Sequence, residues 1–89
     1  KIPFIGWNKI TKKKNCQILK DINTDEFFYF THSYRAVPTK KEIISSEVDY
    51  LGLNYCSSIS DSNIFATQYH PEKSSKKGIL LYKNFLNLI

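Results

Sequence analysis

The sequence predicts an α/β domain laid out strands first and closed by one packing helix. Three observations carry this. Runs dense in aromatic and β-branched residues recur from Phe4 to Tyr69, clusters of turn-forming residues separate them, and helical spacing of apolar residues is confined to the C-terminal segment. At 89 residues the chain is enough for one small domain or for part of a larger one.

In order along the chain, residues 2–10 form a short apolar stretch broken by Gly6 and carrying the only tryptophan, Trp7. They read as a strand end or loop. Residues 11–15 are polar and lysine-rich, hence a loop. Residues 27–34 are dense in aromatics and read as a buried strand closed by Val37-Pro38. Residues 42–53, with Ile43, Ile44, Val48 and Leu51, supply one or two strands. Residues 55–60 and 63–69 read as a hairpin whose turn is Ser60-Asp61-Ser62-Asn63. Beyond Ser74-Ser75, residue types that favour N-caps, the apolar positions Ile79, Tyr82, Leu86 and Ile89 fall on one stripe with Leu81, Phe85 and Leu88 beside it. That stripe is wide enough to lie on a sheet. One helix covers only one face of so apolar a sheet, so further chain is expected to cover the other face and pair with its edge.

Composition narrows the function less than its net charge of +5 suggests. The basic residues are twelve lysines and one arginine, Arg35. Reading of phosphates and bases favours the bidentate guanidinium, so the runs at residues 12–14, 40–41 and 76–77 are taken as solvated surface. The chain has no cationic-then-apolar leader and no long apolar span, and it opens without methionine. It is read as a soluble, cytoplasmic C-terminal piece of a longer protein, with no membrane and no nucleic-acid partner. Cys16 and Cys56 make neither a CxxC nor a zinc spacing with His32 or His70, so two free thiols, no metal and no cofactor are expected.

The chemistry is concentrated in Gln68-Tyr69-His70-Pro71-Glu72-Lys73 at the end of a strand. In an extended or turning segment residues i and i+2 project to the same side, which sets the Glu72 carboxylate beside the His70 imidazole. A carboxylate accepting from one ring nitrogen fixes the tautomer and leaves the other nitrogen as a base. Proline between them stiffens the backbone. On spacing alone two readings stand: a general base with its orienting carboxylate, or a helix lead-in where Pro71 and Glu72 merely favour an N-terminus.

These residues resemble the signature of class I (triad-type) glutamine amidotransferases. Within them, the continuation Lys73-Ser74-Ser75-Lys76-Lys77-Gly78, the early Gly6-Trp7-Asn8 and the stretch Tyr29-Phe30-Thr31-His32-Ser33-Tyr34-Arg35-Ala36-Val37 resemble the glutaminase subunits of imidazole glycerol phosphate synthases. The resemblance runs from Pro3 to the terminal helix, with three separated motifs in the family's order. It implies a flavodoxin-like parent fold, of which residues 1–89 would be the C-terminal part of a single domain.

It also implies roles. His70 would be the general base and Glu72 its orienting partner. Ser33 and Tyr34 would contact the amino-acid end of the substrate glutamine. Trp7, Asn8, Tyr29 and Lys73 would face a cyclase subunit, a β/α barrel forming a heterodimer with this one and receiving ammonia from it. Trp7 and Tyr29 can equally be core aromatics, and His32 is assigned no chemical role. A related glutaminase serving surface-sugar amidination shares the same motifs.

The family's nucleophile sits on a strand-to-helix elbow among glycines. Cys16, between Asn15 and Gln17, and Cys56, between Tyr55 and Ser57, lack such neighbours. The nucleophile and oxyanion hole are therefore expected upstream of Lys1, and the 89 residues alone are expected to be inactive and to fold poorly. A reading from another class is a small basic nucleic-acid-binding module stacking bases on Phe27, Phe28, Tyr29 and Phe30. Strand alternation lets at most half of those rings share one face.

Overall fold

The computed structural model describes residues 4–32 and 35–88. Five strands, β1 (Phe4–Lys12), β2 (Phe27–His32), β3 (Ile44–Tyr50), β4 (Leu53–Asp61) and β5 (Ile64–Thr67), precede one helix, α1 (Ser75–Leu86). The sheet is antiparallel throughout, in the order β2-β1-β3-β4-β5. Strands followed by a terminal helix is the arrangement the sequence predicts. No helix among the described residues is long and apolar enough to cross a membrane.

β1 is the hinge of the sheet. Its residues 4–9 pair with β2 and its residues 10–12 pair with β3 on the other edge. The expected break at Gly6 is absent: the strand runs through it, and through Thr11 and Lys12, which the sequence places in a loop. Gly6 holds φ at 126°, a conformation open to glycine, so its role is conformational rather than interruptive. The β3–β4 turn, Leu51-Gly52, has positive φ at both positions, as a tight two-residue hairpin requires. The Asp49 carboxylate accepts from the Gly52 N–H at 3.1 Å and steadies that turn. The expected hairpin turn near Asp61 is present, centred on Ser62-Asn63.

Period-two alternation sorts the aromatic run. Phe28 and Phe30 are fully buried, whereas Phe27 is exposed and Tyr29 half-buried. The core joins Phe4, Ile10, Phe28, Phe30, Val48, Tyr69 and Leu81. Phe4 stacks on both Phe30 and Tyr50, at centroid separations of 4.5 and 3.9 Å. The segment after β1 completes it: Ile18, Leu19 and Ile22 are buried around a 3-10 turn at Gln17–Leu19. Sequence reading leaves that segment unassigned, although three aliphatics within five polar-flanked residues mark it.

Centrally, β3 and β4 bury four serines. Ser45 Oγ lies 2.7 Å from Ser58 Oγ, and Ser46 Oγ lies 2.6 Å from Ser57 Oγ. Pairing the hydroxyls with one another meets the cost of burying them. Register shifts between Ile44 and Glu47 accompany this cluster.

The helix departs from expectation in which face it buries. Its principal contacts are with the 3-10 turns Gln17–Leu19 and Pro71–Lys73, not with the flat of the sheet. The buried positions are Gly78, Leu81 and Asn84, a narrow i, i+3, i+6 seam. Of the expected stripe and its flanks, Leu81 is buried in the core, and Phe85 is partly exposed but meets Phe65 of β5 edge to face at 6.3 Å. Ile79, Tyr82 and Leu86 are exposed, and Ile89 lies outside the described residues. The reason is steric and polar. Gly78 lets the helix approach the Pro71 carbonyl, and the Asn84 amide donates to the Ile18 and Lys20 carbonyls at 3.0 and 2.8 Å. Hydropathy periodicity ranks glycine and asparagine low, so it selects the other side.

A Cβ at Gly78 would overlap the Pro71 carbonyl group, with the carbonyl carbon at 2.8 Å. Gly78→Ala is therefore expected to cost about 3 kcal/mol, as overpacking against immobile backbone does, and to lower the thermal midpoint measured by circular dichroism.

Candidate functional site

The site is built outward from Tyr69. Its ring is buried against Phe28 and Phe30, at centroid separations of 4.4 and 5.7 Å, which fixes where the chain leaves the core. The Tyr69 hydroxyl is buried beside Ser58 and Ser46 without a completed hydrogen bond, and burial pushes its pKa up. The next residue, His70, emerges half-exposed with its main chain tied to β2: its N–H donates to the Tyr29 carbonyl at 2.9 Å.

Pro71 then opens a 3-10 turn, Pro71–Lys73, with its own ring buried. The turn carries Glu72 back over the histidine. Glu72 Oε2 lies 2.9 Å from His70 Nδ1, so the i, i+2 pairing expected from sequence is made. Glu72 is held below its ordinary pKa by its own backbone N–H and next by His70. An ionised carboxylate can only accept, so Nδ1 carries the proton and Nε2 of the neutral ring keeps its lone pair. Nε2 has no hydrogen-bond partner among the described residues and is open to an incoming acid. The far carboxylate oxygen, Oε1, lies 3.5 Å from the Tyr82 hydroxyl.

Ser74 closes the turn. Sequence reading makes it a helix N-cap, yet its side chain makes no capping bond. Its hydroxyl donates to the His70 carbonyl at 2.6 Å and accepts from the Tyr29 N–H at 3.0 Å. Ser74 is 1% exposed, so both bonds are made away from water.

Beside this turn, Trp7 and Tyr29 are opposite one another on β1 and β2 and meet edge to face at 5.8 Å. The Lys73 ammonium lies over the Tyr29 ring, 5.9 Å from its centre. Trp7 is 47% exposed, so it is not a core aromatic. Ile5 and Phe27 are exposed on the same face and extend the patch, although the sequence does not mark them. Asn8 lies on the opposite pleat and does not join it. Ser33 and Tyr34 lie outside the described residues. Phe28 and Phe30 belong to the core, which leaves a base-stacking reading only Phe27 and Tyr29.

His32, given no role from sequence, is electrically part of the site. Its Nδ1 is buried without a partner among the described residues, and its pKa is lowered by burial and then by the charge of nearby His70. Neither cysteine is placed to act with His70. Burial pushes the Cys56 thiol up and its Sγ lies 3.5 Å from the Ser58 carbonyl, while Cys16 packs against the core. No group of three metal-ligating side chains occurs among the described residues. A cavity of about 340 Å³ opens between residues 36–39 and β4–β5, but neither His70 nor Glu72 lines it.

The His70–Glu72 pair thus stands on the turn that follows β5, bridged by Pro71. Residues 1–88 match the family glutamine amidotransferase class-I, and the chain belongs to that family. It is 45% identical over 86 residues to the imidazole glycerol phosphate synthase subunit HisH of Pyrococcus furiosus, covering 97% of this chain and 44% of that protein. The same-named subunits of Aquifex aeolicus and Pelagibacter ubique are 47% and 46% identical over 85 and 88 residues. Those matches cover 96% and 99% of this chain but only 41% and 42% of the relatives. The chain thus spans less than half the length of the relatives it matches.

His32 also sets a pH dependence. The folded protein takes up this proton less readily than the unfolded chain, so the unfolded state gains protons first as pH falls. Stability is expected to be full above pH 6.5, the ordinary histidine value, and to decline below it. His32→Gln should flatten that slope between pH 7 and 5.5 in denaturant titrations. An unchanged slope would assign it to other groups.

Proposed function

We propose that these residues are the C-terminal part of a single glutamine amidotransferase domain, and that the intact cytoplasmic protein hydrolyses glutamine to supply ammonia to the cyclase subunit of an imidazole glycerol phosphate synthase. The observation that carries the reading is the 2.9 Å contact of Glu72 with His70 Nδ1, with Nε2 left open. Two further features support it. The relatives are more than twice as long as the part matched, and the apolar outer face of α1 needs a cover that the remaining length would provide.

In this reading His70 Nε2 takes the proton of a cysteine thiol carried by the remainder of the protein. The thiolate attacks the carboxamide carbon of glutamine, and His70 returns the proton to the departing nitrogen, which leaves as ammonia. The resulting thioester is hydrolysed by a water that His70 deprotonates in turn, releasing glutamate and the thiol. Glu72, ionised at neutral pH, holds the imidazole in the reactive tautomer and stabilises the imidazolium formed at each step. Ser33 and Tyr34 contact the amino-acid end of glutamine. Trp7, Tyr29 and Lys73 dock on the cyclase; Asn8, on the opposite pleat, is not part of that surface. Burial leaves Cys56 a poor nucleophile, so the 89 residues by themselves are inactive.

The test is glutaminase activity of the intact protein, with and without purified cyclase. His70→Ala should lower kcat by on the order of a thousandfold, since triad members act as a unit, and Glu72→Gln by on the order of a hundredfold. Unchanged rates in His70→Ala, or no hydrolysis with any partner, would overturn the reading. Activity supported only by a sugar-amidinating synthase would redirect the ammonia.

A further inference from the structure

The main chain at His70 belongs to a closed three-bond cycle. The His70 N–H donates to the Tyr29 carbonyl at 2.9 Å. The Tyr29 N–H donates to Ser74 Oγ at 3.0 Å, and Ser74 Oγ–H donates to the His70 carbonyl at 2.6 Å. Both main-chain polar groups of His70, one on each side of its Cα, are thus held, and the hydroxyl is the one side-chain group in the ring. The Tyr29 residue in this cycle is also the one whose ring carries Trp7 and Lys73.

We infer that Ser74 is a positioning residue for the reaction, fixing the His70 imidazole relative to β2 and to the patch formed by Trp7, Tyr29 and Lys73. This rests on the proposed role of His70 as general base. Three observations carry it. Ser74 is 1% exposed, so its two hydrogen bonds compete with no solvent. The hydroxyl is withdrawn from helix capping, the use its position at the start of α1 would favour. Its loss would leave the Tyr29 N–H without that acceptor and the His70 carbonyl with only the Lys73 N–H, a 3.0 Å bond internal to the turn, so the turn could shift as a unit against β2. Glu72 would move with it, so the His70–Glu72 pair would survive while its distance from any nucleophile changed.

That last point separates positioning from pair chemistry. Removing the hydroxyl should lower kcat without shifting the pH profile of the reaction, whereas loss of Glu72 should alter both. A displacement near 1 Å in a catalytic group lowers turnover by up to roughly a hundredfold.

The experiment compares wild type, Ser74→Ala, Ser74→Cys and Ser74→Thr in the intact protein bound to its cyclase. Asn84→Ala serves as a variant that weakens the fold away from the site. Ser74→Ala should lower kcat roughly 10- to 100-fold with KM within about twofold and an unshifted pH profile. Ser74→Cys, which fills the space but bonds weakly, should behave like Ser74→Ala and stands in for it if that variant does not fold. Ser74→Thr, which keeps the hydroxyl, should recover most of the rate. Asn84→Ala should lower the thermal midpoint yet retain kcat. Amide hydrogen exchange at Tyr29 and His70 should accelerate in Ser74→Ala and not in Asn84→Ala.

Wild-type kcat in Ser74→Ala or Ser74→Cys, or equal losses in Ser74→Thr and Ser74→Ala, would overturn the inference. Wild-type protein inactive on glutamine would instead overturn the function reading. In that case protected Tyr29 and His70 amides in Ser74→Ala would separately show that the hydroxyl does not hold the turn.

Discussion

The chain depends on the tie between the His70–Ser74 turn and β2. Two groups on the turn, the His70 N–H and the Ser74 hydroxyl, meet the two main-chain polar groups of Tyr29, and the same hydroxyl closes onto the His70 carbonyl. Above it, Tyr69 anchors the turn in the aromatic core. Below it, Gly78 lets α1 come close enough to brace the Pro71 carbonyl. The main chain that carries the imidazole is therefore held at His70, Pro71 and Ser74, while the ring itself is tied only to Glu72 among the described residues.

The electrostatics follow from where the turn places each group. Glu72 sits in water yet keeps its charge readily, because its own N–H and the His70 ring both favour the carboxylate. His32 sits where burial and a second imidazole both oppose its protonation. The two histidines thus differ in surroundings: His70 has the Glu72 carboxylate at 2.9 Å, whereas burial disfavours the charged form of His32. The lysine excess plays no part in this arrangement. Among the described residues, the basic side chain drawn toward the turn is Lys73, over the face of Tyr29.

Two apolar surfaces remain on opposite logic. The patch of Ile5, Trp7, Phe27 and Tyr29 is flat, aromatic and edged by a lysine, the composition of a protein interface. The outer face of α1 mixes aliphatic Ile79 and Leu86 with aromatic Tyr82 and Phe85 at helical spacing, the pattern of an intrachain core face. A sheet with one helix leaves both uncovered, which fits a chain that spans less than half of its relatives.

The sequence by itself determined that strands precede one helix, that a hairpin turns within Ser60-Asp61-Ser62-Asn63, and that His70 pairs with Glu72. Each of these is a local matter: alternation, turn propensity and a two-residue separation across a proline act within a few positions. That neither Cys16 nor Cys56 has a glycine neighbour is legible locally too. Only the tertiary structure decided the rest. Which side of α1 is buried depended on Gly78 and Asn84 fitting partners some seven and sixty residues away, and hydropathy cannot see a fit. Ser74 looks like a cap until Tyr29, 45 positions earlier, arrives to claim its hydroxyl. Residues 16–22 look like loop until the core they fill is assembled around them. His32 looks inert until the fold sets it near His70. In each case the deciding contact is long-range, and pattern along the chain carries no distance between residues that meet only in the folded state.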